Sequence, residues 1–142
     1  VVVTIIIFYL LTYIIYDVLG SSVNSAAAIY IRDMYMRNKF IYVIFTFFTV
    51  TFEEVVYRKL LFGYLYDLHS GCNRYIRLIT SLLGSVIIFG AIHDGVFSSG
   101  MIFYVMAGIS FTIVYFYTKR ISSAIAIHFL YNICLRLIRT II

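Results

Sequence analysis

Five long apolar runs separated by short polar breaks dominate this chain. A helix needs about 20 residues to cross the hydrocarbon core of a bilayer, and irregular backbone is not tolerated against lipid, so each run reads as a spanning helix. The first covers residues 1–19. It lacks the basic start and the A-x-A pattern of a signal peptide, and so reads as a true span. Gly20, Ser21, Ser22, Asn24 and Ser25 break it, and Arg32, Asp33, Arg37, Asn38 and Lys39 mark a polar connection with room for a short interfacial helix. The other runs cover 40 to about 68, 75 to about 93, 101–118, and 121 to about 138. With no internal repeat or linker, the pattern predicts an all-α, polytopic transmembrane helix bundle of about five spans, a single domain over 1–142.

Composition agrees with this pattern. At 63% hydrophobic and 12% charged residues, the chain has too little polar surface to clothe a water-soluble globule, so lipid is its main solvent. Tryptophan is absent while tyrosine numbers 14, so an interfacial aromatic belt would be built from tyrosine. The net charge of +5 belongs in loops facing anionic lipid and implies no nucleic acid partner. Arg74, Arg77, Lys119 and Arg120 fall on one side, and Arg32, Arg37, Lys39, Arg136 and Arg139 on the other, a balance that assigns no orientation. Ser81 with Ser85, and Gly100, Gly108 and Thr112, recur in four-residue steps and predict close helix packing. Cys72 and Cys134 form no recognisable pair and read as incidental. Val1 is not an initiator methionine, which points to a trimmed product or a piece of a longer chain.

Ionisable groups at bilayer depth are costly, and the second run holds three of them: Glu53, Glu54 and Arg58. At about 1.5 Å per residue, Glu53 lies roughly 20 Å along the helix from Phe40, near mid-membrane. Arg58 is one turn from Glu54 and can neutralise it, whereas Glu53 points about 100° away and must find another partner. An ion pair that glues helices together explains Glu54 and Arg58 but leaves Glu53 unexplained. In the third run Ser85, Phe89 and His93 share a face, and a lone histidine at a helix end is commonly just a satisfied interfacial residue. The fifth run places His128 and Asn132 one turn apart, with Ala124 on the same face; taken alone, this pair reads as interhelical hydrogen bonding. Three separate structural explanations are then required for three helices. A carboxylate, two imidazoles and a carboxamide converging from separate helices form, together, a hydrolytic constellation.

EExxxR (Glu53, Glu54, Arg58), FxxxH (Phe89, His93) and HxxxN (His128, Asn132), in this order on successive apolar helices, resemble the CAAX prenyl protease 2 family, also described as the CPBP or Abi family of intramembrane proteases. The resemblance spans residues 52–132, within a family-like core at about 40–140; Lys59 stands where many members have glycine. It implies an intramembrane endopeptidase in which Glu53 and His93 activate water, His128 and Asn132 stabilise the tetrahedral oxyanion, and Arg58 holds Glu54 ionised. The physics is compatible: a carboxylate stripped of water is a stronger base, and a carboxamide N–H is worth more as a donor at low dielectric. Asn132 cannot act as a base, which suits the donor role.

The resemblance also bounds the partners. It implies membrane lipid around the chain and a membrane-associated or prenylated protein or peptide as substrate, covering both CAAX processing and the bacteriocin-immunity or peptide-maturation roles of prokaryotic relatives. Small size and an isoleucine- and tyrosine-rich composition lean towards a multi-pass protein of a prokaryotic plasma membrane. No cofactor is expected. The alternative is zinc at Glu53, His93 and His128, against which stands the lack of HExxH and of paired cysteines. A non-catalytic immunity or scaffold protein, or an ion or proton transporter, could use the same buried groups. The intact motifs speak against the first, and the lack of paired halves and proline-broken helices against the second.

Overall fold

A computed structural model of the chain describes residues 26–98 and 100–141. The predicted first span, 1–19, and its polar break at 20–25 lie outside the described residues. Helix α1, Ala26–Arg37, occupies the polar connection, where room for a short helix was expected. Its Tyr35 is buried edge-on against Tyr42, with 5.1 Å between ring centroids. Asn38 then starts the next helix: its Oδ1 accepts from the N–H groups of Phe40 and Ile41 at 3.0 and 3.1 Å, satisfying two donors that no helical carbonyl can reach. Helix α2, Lys39–Glu54, runs without a break through a π-helical segment, Val55–Phe62, into α3, Gly63–Leu68.

Asn73 caps α4, Arg74–Asp94, in the same way through the N–H groups of Tyr75 and Ile76. Gly95, at φ 84°, ends α4 in a conformation that side chains resist, and its N–H returns to the Ala91 carbonyl. Helices α5, Met101–Thr118, and α6, Ile121–Ile141, complete the bundle, joined by a tight turn through Lys119. Among the described residues there is no strand, and four helices are long and apolar enough to cross a membrane: Lys39–Leu68, Arg74–Asp94, Met101–Thr118 and Ile121–Ile138. The protein is a multi-pass integral membrane protein with an all-α bundle. Helices α2 and α4 begin one residue ahead of the apolar runs because the asparagine caps, not hydropathy, fix their starts.

Large apolar side chains such as Phe40, Phe48, Phe52, Tyr75 and Ile92 face outward, as they should where the surroundings are lipid. The interior is built on close approach between α4 and α5. A Cβ placed on Gly108 would stand 3.3 Å from both Phe89 and Val86, and one on Gly90 would meet Val105 at 2.7 Å. Ser81 and Ser85 are buried, their hydroxyls donating back to the carbonyls of Arg77 and Leu82, so they stay small without stranding a polar atom. Gly108 and Thr112 lie in this seam; Gly100 instead sits against the Asp94 carboxylate in the turn before α5. At the far end Arg77 locks α3 to α4. It donates through Nε to the Tyr66 carbonyl, pairs with Asp67 at 3.0 Å, and lies 3.9 Å over the Tyr66 ring.

Candidate active site

Helix α2 and the π-helical segment after it supply Glu53, Glu54 and Arg58. In π geometry each N–H reaches back five residues rather than four, and such segments recur at functional sites. Glu54 is 0% and Arg58 1% exposed. Arg58 Nε stands 3.1 Å from Glu54 Oε2, with its N–H aimed off that line, so the contact is an ion pair rather than a directed hydrogen bond. Nη2 of Arg58 donates to the Gly108 carbonyl at 3.5 Å, and the guanidinium carbon lies 4.6 Å from the Phe89 ring and 5.4 Å from that of Phe111. Two aromatic faces and one carboxylate thus compensate a cation that water cannot reach.

Glu54 is not spent on Arg58 alone. Its Oε1 accepts from Nδ1 of His128 at 2.7 Å, a contact across the bundle that sequence spacing does not reveal. An ionised carboxylate can only accept, so His128 carries a proton on Nδ1 and turns Nε2 the other way. Phe111 stacks on the His128 ring at 4.3 Å and 19°, holding its plane.

His93 is oriented by its own helix. Its Nδ1 donates to the Phe89 carbonyl one turn earlier at 2.7 Å, which gives the FxxxH spacing a backbone meaning besides the ring contact at 4.2 Å. Nε2 of His93 therefore also faces inward. Between the two imidazoles stands Glu53, with Oε1 3.4 Å from His93 Nε2 and Oε2 3.7 Å from His128 Nε2. The glutamate that the ion pair leaves unexplained meets both histidines, one at each oxygen. Its side chain is 18% exposed against 0% for Glu54, so of the two carboxylates Glu53 is the one that water can approach.

Five of the six predicted residues thus form one connected cluster: Arg58, Glu54, His128, Glu53 and His93. Asn132 follows His128 by one turn on α6 and is half-buried; the Tyr42 hydroxyl donates to its backbone carbonyl at 3.2 Å, and its carboxamide makes no hydrogen bond among the described residues. Sequence reasoning missed Tyr42, Phe111 and the Gly108 carbonyl. Gly108 was visible as a small residue in the fourth run, but a tyrosine or phenylalanine in a lipid-facing sequence carries no mark of what it touches. Among the described residues no three histidine, cysteine, aspartate or glutamate side chains form a group that could hold a metal ion.

Comparison with known proteins adds to this geometry. Residues 35–134 match the family described as type II CAAX prenyl endopeptidase Rce1-like. Over 80 residues the chain is 36% identical to the membrane-embedded CAAX protease MroQ of Staphylococcus aureus (strain USA300), an alignment covering 56% of this chain and 31% of that protein. The chain thus spans about a third of the length of the curated relative it matches. No solved structure matches it.

Proposed function

The chain belongs to the type II CAAX prenyl endopeptidase Rce1-like family, and from that premise we propose that it is an intramembrane endopeptidase cutting a peptide bond of a membrane-associated or lipidated protein or peptide. The observation that carries the reading is Glu53, semi-exposed, with an inward-facing imidazole nitrogen at each of its oxygens. Water bound beside Glu53 and His93 gives up a proton to this pair as its oxygen attacks the scissile carbonyl carbon. The carbonyl oxygen becomes an oxyanion and accepts from the Asn132 carboxamide N–H and from Nε2–H of a His128 that enters the reaction protonated on both nitrogens and keeps both protons throughout. Glu54, bound at Nδ1, lets His128 donate there when the ring carries both protons. The intermediate then collapses, the C–N bond breaks, and the proton held by Glu53 and His93 passes to the leaving amine. This scheme asks for no metal.

The test compares membrane peptides from cells making the wild-type protein with those from cells making Glu53→Gln, by mass spectrometry. A new terminus that appears only with the wild type, while Glu53→Gln reaches the membrane in equal amount and melts at the same temperature, is the expected result. A variant that retains wild-type cleavage would show that Glu53 is not the base.

A further inference from the structure

We propose that α5, which carries none of the motif residues, aims the histidines of the site, and that Tyr104 is the positioning residue for His93. The inference deepens the endopeptidase reading and rests on it. His93 stands in the last turn of α4, which ends one residue later at Asp94. In a continuing helix the side chain four residues on would lean back over it, but Phe97 lies beyond the helix end and is exposed.

The ring must therefore be held from elsewhere. Its Nδ1 donates to the Phe89 carbonyl, and the Phe89 ring packs beside it, yet both belong to α4 and move with His93. Glu53, at 3.4 Å from Nε2, is beyond the usual hydrogen-bond length of about 2.9 Å. The Tyr57 ring is 6.4 Å away, close to the outer limit of about 7 Å for aromatic pairs. Tyr104 comes nearer than either ring from outside α4 could otherwise reach: its centroid is 4.8 Å from that of His93, with the planes tilted by 31°.

The same helix treats the second histidine alike. Phe111, stacked on His128, follows Tyr104 by seven residues, so the two rings leave α5 about 20° apart in direction and about 10 Å apart along its axis. Between them Gly108 gives its carbonyl to Arg58. One stripe of α5 thus touches His93, Arg58 and His128. The start of the stripe is tied to the end of α4, because the Ser98 hydroxyl donates to the Asp94 carboxylate and accepts from the Met101 N–H at 3.1 Å. Tyr104, one turn into α5, is thereby set against the residue that precedes Asp94.

Two substitutions separate the ring from the hydroxyl: Tyr104→Leu removes both, and Tyr104→Phe keeps the ring. Each protein, in lipid nanodiscs, is assayed on a quenched-fluorescent S-farnesylated peptide, and the order parameter of the His93 ring is measured by solid-state NMR, with His93→Gln identifying its signal. In Tyr104→Leu, kcat per folded molecule should fall about 10- to 100-fold with KM little changed, the loss that a misplacement of about 1 Å produces, and the His93 ring order should fall with it. Tyr104→Phe should recover most of both. Should the leucine variant not fold, Tyr104→Met, which fills the space without a ring, takes its place. Unchanged kcat, a change in KM alone, a phenylalanine variant as slow as the leucine one, or a His93 ring as ordered as in the wild type would each overturn the proposal. Failure of the endopeptidase reading shows elsewhere, as absence of cleavage by the wild type, and the ring order alone then decides whether Tyr104 positions His93.

Discussion

At the scale of single residues, the proposed chemistry separates groups that react from groups that aim them. Asn132 can neither gain nor lose a proton at ordinary pH, so any part it takes in the chemistry is hydrogen-bond donation. Asn132→Leu should lower kcat by about 10²- to 10³-fold, the usual loss for one oxyanion donor, with KM little changed. A purely structural asparagine would instead lower the melting temperature, at about 0.6 to 2 kcal/mol for an interhelical hydrogen bond in lipid, and leave turnover per folded molecule intact. Turnover normalised to folded protein, measured beside thermal unfolding, separates the two. Glu54 and Arg58 should behave differently from both. Removing either leaves the other charge buried without its partner, at a cost of about 3 to 5 kcal/mol, so Glu54→Ala and Arg58→Ala should melt well below the wild type. Unchanged melting in both would contradict the buried pair. The Glu54 variant should also free the His128 ring, so its residual folded fraction should be slow; Glu54→Gln, which keeps an acceptor oxygen, should recover part of that loss.

At the scale of elements, the spans were legible because lipid makes hydropathy nearly sufficient: the 101–118 run matches α5 at both ends. The EExxxR spacing likewise gave the Glu54–Arg58 pair, since i,i+4 neighbours meet whatever the tertiary structure. What stayed hidden depends on how helices face one another. The bond from Glu54 to His128 joins residues 74 apart, and no local spacing encodes it. The π-helical turn at Val55–Phe62 was hidden too, because VVYRKLLF carries no residue pattern that distinguishes it from an α-helix. Gly108 offers a test of the α4–α5 seam. With Phe89 and Val86 already 3.3 Å from where a Cβ would stand, Gly108→Ala needs only a few tenths of an ångström of give, whereas Gly108→Leu must part the helices. The leucine variant should lose about 1 to 3 kcal/mol by overpacking and the alanine variant much less, read from paired thermal melts in one detergent. Equal melting of the two would mean that the seam is looser than described.

At the scale of the whole molecule, the chemistry proposed needs only the chain, water and substrate, so turnover should survive prolonged chelation. Inactivation by a chelator with recovery on adding zinc would transfer Glu53, His93 and His128 to a metal-ligating role. The heights of the helices carry a further consequence. Helix α4 ends at Asp94, the residue after His93, while α2 continues from Glu53 back to Lys39 and α6 from Asn132 on to Ile141. On one side of the cluster α4 and α5 run back towards Arg74 and Thr118; on the other, α4 has already ended at Gly95. Among the described residues the cluster therefore lies at the level where α4 ends and α2 and α6 continue. On the proposed reading, water would reach Glu53 from the end of α4 at Gly95 rather than from the end near Cys72, which lies the length of α4 away.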